Sequence, residues 1–101
     1  MIRTLRGITP RIAASAYVDP GAHLIGDVSI GERSTVWPGA TLRGDIEPIR
    51  VGDETSIQEG SVVHTDKGFP TTIGNRVEMA TLTAVITAIS INSNPMPGIT
   101  W

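Results

Sequence analysis

The stretch SIQEGSVVHTD, residues 56–66, sets a histidine, His64, among polar groups: Asp66 two positions on, and Gln58 and Glu59 just before it. This is the setting of a metal site, because a neutral imidazole is a good ligand for zinc and related borderline metals. A catalytic zinc takes three protein ligands, and the chain contains two histidines in all, His23 and His64. There are no cysteines, which excludes thiolate zinc sites and disulfides. A second charged constellation is LRGD, where Arg43 and Asp45 flank a glycine. On its residues alone that pair suits a structural ion pair. His23, in DPGAHLIGD, reads as an exposed corner residue without a chemical role.

Composition narrows what could position these groups. A chain of 101 residues is at most one small domain, short enough that oligomerisation is a reasonable expectation. Eight basic against ten acidic residues leave no concentration of positive charge for a nucleic acid or an anionic membrane. No segment is apolar and long enough to span a bilayer or to form the h-region of a secretory signal, so a soluble cytoplasmic protein is expected.

The positioning framework shows in the spacing of aliphatic residues. Every sixth residue from Ile12 is aliphatic: Ile12, Val18, Leu24, Ile30, Val36 and Leu42. With about a quarter of the chain Val, Ile, Leu or Met, such a run arises by chance roughly once in a thousand registers. Three extra residues in GDIEPIR interrupt the period, which resumes at Val51, Ile57 and Val63. Four extra residues in HTDKGFPTT interrupt it again before Ile73, Met79, Val85 and Ile91.

A period of six with insertions predicts a parallel β-helix, each short strand giving one inward aliphatic side chain and each corner a turn. Glycine follows the inward residue at Gly31, Gly52 and Gly74, and is expected to supply corner dihedrals closed to residues with a Cβ. Small residues four positions after the inward one, Ser34, Ala40, Thr55 and Ser61, are expected to fit where the coil turns. Aromatic residues make up only 4% of the chain, as a narrow interior requires. An irregular sandwich would alternate with a period of two instead.

The run VWPGATLRGDIEPIRVGDETSIQEGSVVHTDKGFPTTIGNRV, residues 36–77, resembles the γ-class carbonic anhydrase and ferripyochelin-binding-like group of hexapeptide-repeat proteins. LRGD, a short insertion, SIQEGSVVH, a loop and TIGNRV follow in the group's order, and a weaker likeness extends back to Ile12. The resemblance implies an all-β, single-stranded left-handed parallel β-helix, assembled as a homotrimer with active sites between neighbouring subunits. It implies a metal, zinc or sometimes iron or cobalt, held by histidines of two chains. A bound water of pKa about 7 would then supply the hydroxide that converts carbon dioxide to bicarbonate. Carried over position by position, His64 matches the first metal ligand. Arg43 and Asp45 match the pair that orients bicarbonate and the trimer, Gln58 a glutamine near the metal-bound solvent, and Glu59 an acidic position. Glu47 and Asp66, in the two insertions, are weaker candidates for a proton relay.

The likeness fails after Val77. The group continues with V-x-V-G-H-x-x-x-x-H, whereas this chain reads EMATLTAVITAISINSNPMPGITW, placing Thr81 and Ile86 where the two remaining ligands fall. Residues 1–78 therefore read as the β-helix and residues 79–101 as an atypical C-terminal segment. With one imidazole per site, a catalytic metal is expected to bind poorly, leaving the chain with little or no hydratase activity. A frameshifted or truncated gene is one origin, since a shifted frame permits glycine at position 80 and histidine at positions 81 and 86. A non-catalytic trimeric scaffold subunit is another reading, and a hexapeptide-repeat acyltransferase a third. TLTAVITAISI is uncharged and β-prone, an aggregation hazard wherever it forms an open edge.

Overall fold

The computed structural model describes residues 1–79 and the backbone of Ser90–Ile91. Its strands run in chain order as β1 (Ile2–Arg3), β2 (Arg11–Ile12), β3 (Tyr17–Val18), β4 (His23–Ile30), β5 (Thr35–Val36), β6 (Thr41–Val51), β7 (Ser56–Ile57), β8 (Val62–His64), β9 (Thr71–Ile73), β10 (Glu78–Met79) and β11 (Ser90–Ile91). All the paired strands run parallel, and each pairs with the strand one coil away. The chain is a left-handed parallel β-helix with three faces. The first halves of β4 and β6 build the first face with β1 and β8. Their second halves build the second face with β2, β9 and β11. The third face is β3, β5, β7 and β10.

The aliphatic period becomes the core. Leu24 stacks in register on Leu42 and then Val63, Val36 on Ile57 and then Met79, and Ile30 on Val51 and then Ile73. All of them are buried. The steps of 21 and 22 residues at the two insertions, against 18 elsewhere, place both insertions at the corner between the first and second faces. At the far end, the backbone of Ile91 pairs with Ile73, another 18-residue step. Ala80, Thr81, Val85 and Ile86, to which the sequence assigned roles, lie outside the described residues. Ile2 and Ile12 are exposed because they end the inward columns rather than because they point outward.

The corner between the second and third faces works differently from the expectation. None of Gly31, Gly52 and Gly74 has a positive φ; the left-handed residues there are Arg33, Glu54 and Arg76, with φ of 55°, 53° and 55°. The glycines answer instead to coil-to-coil approach: a Cβ on Gly31 would lie 2.5 Å from the Gly52 carbonyl oxygen and 2.4 Å from Asp53 Oδ1. That carboxylate reaches across the corner because it accepts from the Glu32 amide at 2.8 Å, and Asn75 repeats the contact on the Asp53 amide at 2.7 Å. The small-residue positions fit as expected and also bond. Ser34 Oγ donates to the Gly52 carbonyl and accepts from the Thr55 amide, and Thr55 Oγ1 does the same to Gly74 and Val77 one coil on. Buried polar groups are thereby paired between coils rather than left to water.

The second face carries two buried columns where the period of six marked one. Val28, Ile49 and Thr71 stack beside Ile30, Val51 and Ile73. Among the described residues no helix is long and apolar enough to cross a membrane.

Candidate functional site

His64 ends β8 on the first face, and its register partner on the adjacent coil is Arg43 of β6. The side chains flanking the inward Leu42 and Val63 point outward by strand alternation, so Arg43 and His64 share one outer row. His64 is half-buried, and its Nδ1 lies 3.3 Å from the Thr65 carbonyl oxygen. In the tautomer that donates there, Nε2 keeps the lone pair.

Arg43 Nε meets Asp45 Oδ2 at 3.2 Å within the same chain. The other carboxylate oxygen, Oδ1, is buried and has no hydrogen-bond partner among the described residues. Gly44 between them is fixed by packing, since a Cβ there would stand 2.3 Å from the Asp27 carbonyl oxygen on β4.

The two insertions flank this row and are clasped together by Glu47 and Thr65. The Glu47 amide donates to Thr65 Oγ1 at 3.0 Å, and that hydroxyl donates to the Glu47 carbonyl at 2.9 Å. Glu47 Oε2 also accepts from the Gly68 amide at 2.8 Å, and Asp66 Oδ1 from the Lys67 amide at 3.0 Å. Both carboxylates of the expected relay thus have an oxygen engaged in holding loop backbone. Thr65 was not legible as a site element, because a threonine following a histidine carries no signal of burial.

Gln58 and Glu59 lie elsewhere. Gln58 follows β7 on the third face, where its Nε2 donates to Ser56 Oγ at 3.1 Å. Glu59 is exposed at the corner that Gly60, with φ of 74°, turns toward the first face. The third face adds a polar network the sequence did not reveal: Trp37 Nε1 donates to Thr35 Oγ1 and Ser56 Oγ at 3.1 and 3.2 Å. The Trp37 ring lies against Tyr17, centroids 5.5 Å apart. Tyr17 donates its hydroxyl to Asp19 Oδ2 at 2.9 Å, and that bond, with desolvation and the carboxylate's charge, raises the phenol pKa. His23 begins β4 on the first face beside Thr41, a strand residue rather than a corner one.

The structure therefore brings His64, Arg43 and Asp45 together and leaves Gln58 and Glu59 across a corner. Among the described residues no three His, Cys, Asp or Glu side chains gather as a metal site. The donor set present in one described chain, a single imidazole beside an Arg–Asp pair, does not fit a catalytic zinc.

The family model described as Bacterial transferase hexapeptide (six repeats) matches residues 9–44. A protein named "Probable carbonic anhydrase" from Methanocaldococcus jannaschii is 40% identical over 87 residues, 86% of this chain and 54% of that protein. "Gamma carbonic anhydrase 1, mitochondrial" from Arabidopsis thaliana is 42% identical over 84 residues, 74% of this chain and 30% of that protein. Among solved structures, a hexapeptide transferase family protein from Anaplasma phagocytophilum superposes with a TM-score of 0.69 at 39% identity. That match covers 73% of this chain and 43% of the other. The chain spans about half the length, or less, of these relatives.

Proposed function

Because the chain belongs to the hexapeptide-repeat proteins homologous to γ-class carbonic anhydrases, we propose that it supplies one wall of a shared inter-subunit site and lacks hydratase activity of its own. The observation that carries this reading is the division of the matched residues. His64, Arg43 and Asp45 stand on the first face and Gln58 and Glu59 beyond the next corner. Groups so divided converge only if the first face of one copy meets the third-face edge of another, which supports a homotrimer. The unpaired Asp45 Oδ1 supports the same conclusion, since a buried carboxylate oxygen calls for a donor.

Within that site Arg43 and Asp45 would orient a small anion such as bicarbonate, Gln58 would hold solvent, and His64 would supply the one imidazole. Zinc, or iron or cobalt in its place, would polarise water in an intact relative. Thr81 and Ile86, at the positions of the other two ligands, carry no imidazole, so no reaction step is assigned to this chain. A non-catalytic, cytoplasmic scaffold subunit is the role this leaves. The C-terminal segment from Met79 onward is where the chain parts from its relatives, whatever the genetic origin of the change.

The test is metal content and carbon dioxide hydration by purified protein after growth in zinc, alongside sedimentation. A trimer with far less than one zinc per chain and hydration no faster than buffer is expected. One tightly held zinc per chain overturns the proposal. Coenzyme A binding, the mark of an acyltransferase, is expected to be absent.

A further inference from the structure

We infer that the indole ring of Trp37 seats the guanidinium of Arg43 from a neighbouring copy, one coil below the convergence of Gln58 and His64. The inference rests on the shared-site reading and adds to it a residue that the matched motifs leave without a role.

Two registers lead to it. Arg43 and His64 are partners on adjacent coils of the first face. Trp37 and Gln58 are likewise one coil apart on the third face: the Trp37 amide donates to Ile57 as the Gln58 amide does to Met79. Each pair is separated by 21 residues, the same single step along the helix axis. In copies related by rotation about an axis parallel to the coils, any contact between Gln58 and a neighbouring His64 brings Trp37 to the height of that neighbour's Arg43.

The chemistry of the two faces is complementary. Among the described residues, the outward strand positions of the first face carry Arg3, His23, Arg43 and His64 and no carboxylate. The third-face rows carry Asp19 and Glu78 and no base. Trp37 is suited to the central contact. Its N–H is already bonded to Thr35 and Ser56 and its ring is braced by Tyr17, so a half-buried π surface is presented without an unsatisfied donor. Arg43 engages Asp45 through Nε, and its side chain remains 48% exposed. A guanidinium over an indole is among the stronger cation–π arrangements.

The test is self-association of the full chain by sedimentation, in a cycle of Trp37→Leu, Arg43→Met and the double variant, with circular dichroism confirming an unchanged fold. Each single change is expected to weaken association about tenfold, and the double no more than the stronger single. In a Trp101→Phe background, Trp37 emission is expected to shift to the blue on association with Arg43 present and not with Arg43→Met. Additive losses, or an emission indifferent to Arg43 in a chain that still assembles, overturn this contact alone. A parent chain that is monomeric at every concentration overturns both the shared site and this contact.

Discussion

Arg43 and His64, 21 residues apart in sequence, are register partners on β6 and β8, at the single-strand spacing of about 4.8 Å. Strand pairing rather than a loop therefore sets their relation, and every coil below them contributes to holding it. Three extra residues separate the two positions from a plain 18-residue step, yet the insertion bulges at the corner and leaves the register intact.

Gly44 is the point where this arrangement has least tolerance. A Cβ on it would overlap the Asp27 carbonyl oxygen at 2.3 Å, and backbone of a paired strand cannot yield without loosening β4 from β6. Gly44→Ala is expected to destabilise the fold by about 2–3 kcal/mol, the cost of forcing atoms into a filled site. A lowered urea midpoint at unchanged slope checks this, and an unaltered midpoint would show that the coils can separate freely.

Asp27 clamps the outer side of the second face. Its Oδ1 accepts from Arg11 at 2.8 Å and from Arg50 at 2.9 Å. The Arg50 hydrogen bond first, and then the Arg11 one, hold its pKa below the ordinary 3.8. A depressed carboxylate pKa means that the unfolded chain binds the proton more readily, so the clamp stabilises fully above the unfolded value and is lost as pH falls through the folded one. Solvent reaches all three side chains, which limits the contribution to about 1 kcal/mol or less. Asp27→Asn should lower stability at neutral pH and low salt. The difference should shrink in about 1 M salt and close at about pH 3. A pH-independent difference in thermal midpoint would rule the ion pair out as its cause.

The period of six was legible because every coil needs one aliphatic residue per face, and the registers of Leu24, Leu42 and Val63 follow it. Gly31 and Gly52 were recognisable as obligatory, but the reason was not. Coil-to-coil contact has no one-dimensional signature, and Arg33 and Glu54 took the left-handed conformations assigned to the glycines. The column Val28, Ile49 and Thr71 escaped notice because a polar residue ends it. His64 and Gln58 could be found by their motif, but their separation onto two faces depends on which corner each follows.

Thr71 ends that second column with a buried hydroxyl that has no hydrogen-bond partner among the described residues. Valine replaces the hydroxyl by a methyl of similar size against Ile49, its register partner. Removing an unsatisfied buried polar group is expected to raise stability by about 1 kcal/mol. Chemical denaturation of Thr71→Val gives the answer directly, and a loss of stability would mean that the hydroxyl is bonded after all.

The last prediction concerns the missing ligands. Stacking in steps of 22 residues carries Ile57 to Met79 and Val51 to Ile73, and the same step from His64 reaches position 86. Position 81 follows the third face, two residues beyond Met79, one coil on from Glu59. Histidines at both positions would thus extend the row that holds His64 and the edge that holds Gln58, the two surfaces proposed to meet. The double variant Thr81→His with Ile86→His is expected to bind about one zinc per chain and to assemble more tightly in its presence, because several fixed imidazoles give an affinity that one cannot. Adding His64→Ala should abolish the gain, which separates a built site from adventitious binding to new surface histidines. Equilibrium dialysis with zinc and sedimentation with and without chelator provide the readings. Zinc uptake that survives loss of His64 would mean that the three positions do not converge.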